Sequence, residues 1–278
     1  MTAGGPAGVG SPGRPFTVLV LAGDRGPDDP VCQAAGVAHK CLAPVGGRAM
    51  LERVVEALAA SGEVGRIAVS LSAPGLLDGL PALAPLRPDG RLRALSAAGS
   101  PSRSVLRAVE ELAQHSENPF PLLVTTADHA LLTAAMVDHF CRASRATGAE
   151  VTAGLTASAV LLARYPQSQR TYLTFRDERY SGSNLFALMS PAAMALPRLW
   201  RRVEQQRKRP WRIAAVFGPL LLLGYLLRCF TLDGAMARIS ARLGVAVAAV
   251  KMPMAEAAID VDKAADLELV EAILAGKA

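Results

Sequence analysis

The residues near the amino terminus that are best suited to chemistry are glycines and two basic side chains. The segment Leu21-Ala-Gly-Asp-Arg-Gly26 directly follows an apolar run, and Lys40 comes later in the same long loop. Glycines after a strand let backbone N–H groups approach phosphate oxygens, while Arg25 and Lys40 would neutralise phosphate charge. A tight connection between two elements would look similar, and neither G-x-x-x-x-G-K-[ST] nor G-x-G-x-x-G is present. The segment therefore predicts a phosphate-binding turn outside those two motifs.

Carboxylates follow other apolar runs and would suit a divalent cation. Asp128 follows the run 121–126, and Asp260 and Asp262 lie near the carboxyl terminus. The side chains of Asp260 and Asp262 fall on one side of an extended strand end, because side chains alternate there. Mg²⁺ in proteins is held by one or two acidic side chains together with substrate phosphates. A turn or helix-capping role is an equally good interpretation of Asp128 taken alone.

The elements that must position these residues alternate between strands and helices. Apolar, β-branched runs predict strands, and apolar residues at helical spacing predict helices. Strands are predicted at 16–21, 66–71, 121–126, 150–155, 171–176 and 245–252, and helices at 50–60, 102–113, 133–147, 198–212 and 266–274. A long loop is predicted at 22–47 and a Gly/Ser-rich turn at 180–184. This alternation predicts an α/β fold with a mainly parallel sheet, helices on both faces, and ligands at the carboxyl ends of the strands.

The order of these segments resembles that of the MobA-like nucleotidyltransferases, a superfamily that includes sugar-phosphate and polyol-phosphate cytidylyltransferases. Their signature is a strand, L-A-[GA]-G-x-G-x-R, a variable loop, P-K-x-L-x-x-[VL]-x-G-x-P-M and a helix. This chain has Leu21-Ala-Gly-Asp-Arg-Gly26 and then His39-Lys-Cys-Leu-Ala-Pro-Val-Gly-Gly-Arg-Ala-Met50. Asp24 replaces the second glycine, and His39 and Ala49 replace prolines. Asp24 places a carboxylate near the phosphates, where it would weaken binding or take part in metal coordination.

The resemblance implies a Rossmann-like, GT-A-like nucleotidyltransferase fold with a mixed sheet. It implies that Arg25 contacts the β- and γ-phosphates and that Lys40 contacts the α-phosphate as pyrophosphate leaves. Asp128 matches the metal-binding aspartate of the family, and Asp260, Asp262 or both would complete a Mg²⁺ site. The turn residues implied to bind the nucleotide are Leu21, Ala22, Gly23, Asp24 and Gly26.

The start of the second predicted helix is implied to recognise the base. Ser102 and Ser104 lie in a segment that resembles the base-recognition region of cytidylyltransferases, which favours CTP over GTP. Each serine has an alternative interpretation as an ordinary helix N-cap. Ser183 and Asn184 lie where family members line the acceptor pocket, and Arg170 would meet the acceptor phosphate.

The bulk properties do not favour nucleic acid as a partner. The chain of 278 residues has a formal net charge of +6, which favours anionic ligands. Aromatic residues are only 5% of the chain and do not interleave with the basic run at 201–212, so base stacking is not expected. Four scattered cysteines without a C-x-x-C pair suit a reducing cytoplasm. Residues 1–15 are predicted to form a flexible arm, and 16–278 one domain with a helical, partly apolar insertion at about 190–243.

The apolar stretch 213–227 has two interpretations. It is shorter than the roughly 20 residues that span a bilayer, and Gly218-Pro219 would break a spanning helix. It is either a buried pair of core helices or an interfacial segment whose basic flank, from residue 201 onwards, contacts anionic lipid. The second interpretation would place a cytoplasmic protein at the inner face of the membrane.

Taken together, the sequence predicts a Mg²⁺-dependent nucleotidyltransferase that moves CMP from CTP to a phosphorylated polyol or sugar and releases pyrophosphate. Two alternatives remain open. A non-catalytic nucleotide-binding regulator would explain Asp24 and the missing prolines. A glycosyltransferase of related fold would also bind a nucleotide with a metal ion, but it would usually carry a D-x-D motif where this chain has only Asp128.

Overall fold

The computed structural model describes residues 13–24, 26, 28–114, 118–206 and 219–277. Its main feature is an eight-stranded sheet in the order β10-β7-β9-β6-β1-β4-β5, with β8 paired to β9. Strands β1, β4, β5 and β6 run parallel, as do β7 and β10, whereas β9 is antiparallel to both β6 and β7. The predicted α/β fold with a mixed, mainly parallel sheet is confirmed.

The strands and helices have the following bounds in the described residues. The strands are β1 Phe16–Ala22, β2 Pro44–Val45, β3 Arg48–Ala49, β4 Val64–Leu71, β5 Leu92–Ser96, β6 Leu122–Thr126, β7 Val151–Ala157, β8 Leu173–Thr174, β9 Arg179–Leu188 and β10 Val247–Lys251. The helices are α1 Pro30–Ala35, α2 Met50–Ala59, α3 Pro101–Gln114, α4 Ala134–Thr147, α5 Ser158–Arg164, α6 Ala195–Gln206, α7 Pro219–Leu226, α8 Leu232–Leu243 and α9 Ala264–Leu274. Most of the strands and helices predicted from periodicity therefore form close to their predicted bounds.

Alternation along β1 explains why helices cover both faces of the sheet. Val18 and Val20 are fully buried among apolar side chains of α2 and α4 on one face. Leu19 faces the other way, into a cluster with Val105 of α3 and Met194 before α6. A strand that is apolar on both sides is stable only when both faces are covered, and helices cover both faces of β1, which lies between β6 and β4.

A third apolar cluster packs the loop after β1 against the carboxyl-terminal segment. Val31 of α1, Val45 of β2 and Met50 of α2 are buried with Ile259 and Val261. Burying a large apolar side chain contributes about 1.5–3 kcal/mol relative to leaving it in water. This burial fixes both segments over the carboxyl end of the sheet. This packing brings residues near 40 and residues near 260 together.

Two predictions about loops are wrong. The stretch 180–184 is not a turn but the first half of β9, where Ser181 pairs with Thr156 and Gly182 with Leu155. Its small side chains fit a buried, central strand, and Ser183 shares a hydrogen bond with the Thr156 hydroxyl at 3.0 Å. The stretch 22–47 is not a continuous loop either, because it contains α1, capped by Asp29, and a 3₁₀ turn over Lys40–Leu42.

The predicted helical insertion at 190–243 contains a 3₁₀ turn over Pro191–Met194 and then α6, α7 and α8. Residues 207–218, which include part of the basic run and of the apolar stretch, lie outside the described residues, as do residues 1–12 of the predicted arm. Within the described residues, no helix is long and apolar enough to cross a membrane.

Candidate functional site

The carboxyl ends of β1 and β6 lie side by side and carry the first elements of the site. Leu21 and Thr126 are neighbours in the parallel ladder, and the Ala127 N–H donates to the Leu21 carbonyl at 2.9 Å. The chain then reaches Asp128, whose carbonyl accepts from the Val261 N–H at 3.0 Å. This last bond ties the segment around Asp262 to the end of β6, as the clustering of carboxylates predicted.

Lys40 lies in the centre of this arrangement. Its Nζ donates to Asp128 Oδ2 at 2.6 Å and to Asp262 Oδ1 at 2.9 Å. The lysine side chain is only 10% exposed, so the ammonium is held between two carboxylates with little water around it. Burial lowers the pKa of Lys40, but the two carboxylates outweigh it and the net shift is upward. Lys40 therefore carries a positive charge throughout the physiological range.

Asp260 is held by a separate set of partners. Arg170 Nη1 donates to Asp260 Oδ1 at 2.6 Å and to the Asp260 carbonyl at 2.9 Å, and Asn184 Nδ2 donates to Asp260 Oδ2 at 2.9 Å. Burial, and then the nearby Asp128 and Asp262, raise the pKa of the Asp260 carboxyl. The carboxylates of Asp128, Asp260 and Asp262 thus lie close enough to repel one another electrostatically. Each of them also contacts a cation or an amide donor, which offsets this repulsion.

Arg170 and Asn184 were predicted to meet the acceptor, and the structure places both beside Asp260. The Arg170 guanidinium is 8% exposed and also lies 3.1 Å from Asp266 Oδ1, between two carboxylates. Asn184 has a φ of 49°, a left-handed conformation that asparagine adopts more readily than most residues. Their direct contact with an acceptor stays a prediction, whereas their contact with Asp260 is observed.

The turn after β1 lies beside this site, because its Asp24 contacts His39 and the Lys40 main chain. Leu21 and Ala22 complete β1, Gly23 is exposed, and Gly26 has a φ of 99° that favours glycine. Asp24 turns its carboxylate towards His39 and Lys40 and not towards the other three aspartates. Arg25 lies outside the described residues.

The two serines predicted to recognise the base are buried at the start of α3. Ser102 Oγ donates to Glu204 Oε2 of α6 at 2.5 Å, and Ser104 Oγ accepts from the Ala98 N–H at 3.0 Å. Neither is the N-cap of α3, because the Arg103 N–H points to Ser100 Oγ, at 3.4 Å. The Ser104 hydroxyl therefore holds the loop before α3, whereas the Ser102 hydroxyl joins α3 to α6. Their contact with a base stays a prediction.

Sequence reasoning missed some polar residues of the site. Ser72, directly after β4, donates to Asp24 Oδ2, and Glu204 holds Ser102. Ser72 follows the carboxyl end of a strand that neighbours β1, so strand order would have suggested it. His129, next to Asp128, is fully buried, which lowers the pKa of its imidazole to about 4, so the ring is neutral near pH 7.

The fit of a Mg²⁺ ion can be tested on the carboxylates. In the described residues no group of three or more His, Cys, Asp or Glu side chains is arranged to hold a metal ion. Mg²⁺ requires fewer protein ligands than that, because substrate phosphates and water complete its shell. Asp128 Oδ1 is buried without a hydrogen-bond partner, and its Oδ2 already binds the Lys40 ammonium together with Asp262. The pair Asp128 and Asp262 therefore fits a cation that arrives with phosphates.

A mixed sheet with a glycine turn, a buried lysine and aspartates at its carboxyl end is the arrangement that the resemblance to nucleotidyltransferases predicted. The family model of the MobA-like NTP transferase domain matches residues 18–209, well over half of the chain. The chain belongs to this family.

Solved structures support the same class. A hypothetical transferase of Thermus thermophilus is 30% identical, with a TM-score of 0.73 over 91% of this chain and 100% of its own. A 4-diphosphocytidyl-2C-methyl-D-erythritol synthase of Anaerococcus prevotii has 12% identity and a TM-score of 0.56, covering 94% and 96%. A CMP:2-keto-3-deoxy-manno-octonic acid synthetase in complex with CTP has 12% identity and a TM-score of 0.56, covering 95% and 99%. At such identity the last two show the fold alone. No curated protein matches the chain.

Proposed function

We propose that this nucleotidyltransferase moves CMP from CTP to a phosphorylated polyol or sugar in a Mg²⁺-dependent reaction. The observation that carries the proposal is the Lys40 ammonium, which lies between the carboxylates of Asp128 and Asp262. This arrangement offers one buried cation and two carboxylates at the point where the strands end. Such a site suits a reaction in which charge must be neutralised on a triphosphate.

The proposed chemistry needs no covalent intermediate and no general base. An anionic phosphate oxygen of the acceptor attacks the α-phosphorus, a new O–P bond forms, and the bond to pyrophosphate breaks. Lys40 stabilises the charge that develops on the α-phosphate and on the leaving group. A Mg²⁺ ion held by Asp128 and Asp262, with Asp260 as a further candidate ligand, would supply additional charge neutralisation on the phosphates. His129, buried and neutral, has no acid–base part in this scheme.

The choice of cytosine is the finer part of the proposal. It rests on the resemblance of the segment before α3 to that of cytidylyltransferases and on two fold neighbours whose names carry cytidylyl or CMP groups. The test is pyrophosphate release with CTP, GTP, UTP and ATP against a panel of phosphorylated polyols and sugars, with Mg²⁺ and with EDTA. Release with CTP and one acceptor class is the expected result.

The same panel separates the alternatives. No release with any pair, but measurable nucleotide binding, would favour a regulator, and transfer from a nucleotide sugar would favour a glycosyltransferase. An Asp128→Asn variant serves as the matched negative control, because it keeps the shape of the side chain and removes its charge.

We further propose peripheral contact with anionic membranes through the region 201–227. In its described part, Leu223, Leu226 and Leu227 are 53%, 67% and 65% exposed, and Arg201 and Arg202 on α6 are exposed as well. Exposed leucines beside arginines suit an interfacial segment. In a sedimentation assay with vesicles of phosphatidylserine and phosphatidylcholine, the wild type should pellet with the vesicles. A Leu226→Glu/Leu227→Glu variant should stay in the supernatant. Equal recovery of both proteins in the supernatant would remove this proposal.

A further inference from the structure

The departures from the family signature at Asp24 and His39 meet in space. Asp24 stands where the signature has a glycine and His39 where it has a proline, and the two positions belong to different motif segments. In the structure, His39 Nδ1 lies 2.5 Å from Asp24 Oδ2, with the side chains only 28% and 13% exposed. Because the two replacing residues contact each other, we interpret them as one functional unit and not as two unrelated departures from the signature.

The same carboxylate holds the main chain of Lys40. The Lys40 N–H donates to Asp24 Oδ1 at 3.2 Å, and the exposed Ser72 hydroxyl donates to Oδ2. Beyond this point the 3₁₀ turn is closed by a bond of 3.0 Å from the Ala43 N–H to the Lys40 carbonyl. The N–H and the carbonyl of Lys40 are therefore both hydrogen-bonded. This fixes the main chain from which the lysine side chain extends to Asp128.

The backbone at His39 shows why a different device is needed here. Its φ is −130°, whereas a proline ring holds φ at about −65°. In the family signature, proline restricts the chain before the lysine covalently. Here the residue before Lys40 takes an extended conformation that proline cannot adopt, and hydrogen bonds accepted by the Asp24 carboxylate supply the restriction.

We propose that Asp24 is a positioning residue for Lys40 and that His39 holds Asp24 in place. This inference rests on the proposed function for the role of Lys40. It also accounts for a carboxylate in a phosphate-binding turn, since both oxygens of Asp24 already contact polar groups of the protein.

The first test is kinetic. Asp24→Ala should lower kcat roughly 10- to 100-fold, the size expected when a catalytic group is displaced by about 1 Å, with KM for the nucleotide changed less than about threefold. Asp24→Asn, which keeps an acceptor for the Lys40 N–H, should stay within about threefold of the wild type. His39→Ala should have a smaller effect, and the double variant should be no slower than Asp24→Ala because the two residues act as one unit.

Two controls separate positioning from general damage. In a Lys40→Ala background, Asp24→Ala should lower the remaining rate by less than about twofold, because the residue acts through Lys40. Asp28→Ala removes an exposed carboxylate of the same loop and should leave kcat unchanged. Wild-type kcat in Asp24→Ala, or an equal loss in both backgrounds, would overturn the proposal.

The second test does not depend on activity. Hydrogen exchange of the Lys40 amide should become roughly tenfold faster in Asp24→Ala, while amides in β1 and β4 keep their protection. If the wild type releases no pyrophosphate with any substrate pair, the proposed function fails, and this exchange result still decides whether Asp24 holds Lys40. An unchanged rate at the Lys40 amide would refute the positioning role even in an active enzyme.

Discussion

Replacing Lys40 with methionine tests the electrostatic reasoning about the site most directly. Methionine has nearly the same length and fills the same space, but it carries no charge and donates no hydrogen bond. The change leaves Asp128 and Asp262 without the ammonium that bridges them at 2.6 and 2.9 Å, and with Asp260 close by. The variant should therefore be less stable than the wild type, apart from any effect on catalysis.

The size of the loss follows from the exposure of the partners. Removing one partner of a buried ion pair costs about 3–5 kcal/mol, because the other charge is left buried and uncompensated. The Lys40 and Asp128 side chains are 10% and 19% exposed, so the cost of breaking this pair lies near that range. Asp262 is 46% exposed, so its pair with Lys40 is worth less than about 1 kcal/mol. A net loss of about 2–4 kcal/mol is expected, or roughly 3–7 °C in Tm for a chain of this length.

The assay is thermal unfolding, followed by circular dichroism, of the wild type, Lys40→Met, Asp128→Asn and the double variant. Because Asp128→Asn removes the uncompensated charge, the double variant should regain part of the stability that Lys40→Met loses. A Lys40→Met variant within about 0.5 kcal/mol of the wild type, or strictly additive losses, would refute the reasoning.

Further predictions concern single residues. Asp128→Asn should lower kcat by roughly 100-fold or more with the fold retained, as measured by pyrophosphate release and circular dichroism. Iodoacetamide at pH 8 should label the exposed Cys229 of the native protein but not Cys41, because burial raises the pKa of the Cys41 thiol to about 12 and only the thiolate reacts; mass spectrometry reads out the sites. Asp29→Ala should cost about 1 kcal/mol in urea unfolding, because the Asp29 carboxylate accepts from the Val31 N–H at 2.9 Å and caps α1.

Much of the sheet could be predicted because its central strands are apolar on both faces. β1, β4 and β6 are short buried runs, and the helices between them have one apolar side, so periodicity was sufficient. β9 could not be predicted in the same way. Its first half contains the small residues Ser181, Gly182 and Ser183, which are typical of turns. Pairing with β7 on one side makes this stretch a strand, and such pairing is tertiary information.

The candidate site shows a similar division. The family pattern was sufficient to bring Lys40, Asp128 and Asp262 together, because residues after parallel strands meet at one edge of the sheet. The partners of Arg170 and Asp24 could not be predicted. The sequence does not distinguish an arginine that pairs with a carboxylate of the protein from one that binds a substrate phosphate. The folded structure shows that Arg170 pairs with Asp260.

The balance of charge at the site leads to a last prediction about metal dependence. Asp128, Asp260, Asp262 and Asp266 carry four formal negative charges, and Lys40 and Arg170 carry two positive ones, which leaves a net charge of −2. A triphosphate that approaches this cluster meets repulsion, which one divalent cation would cancel. Nucleotide binding measured by calorimetry should therefore be at least roughly tenfold weaker in EDTA than in Mg²⁺. In Asp128→Asn, which lowers the negative charge by one, the difference between the two conditions should shrink. Equal affinity with and without Mg²⁺ in the wild type would show that basic groups elsewhere in the chain neutralise the phosphates.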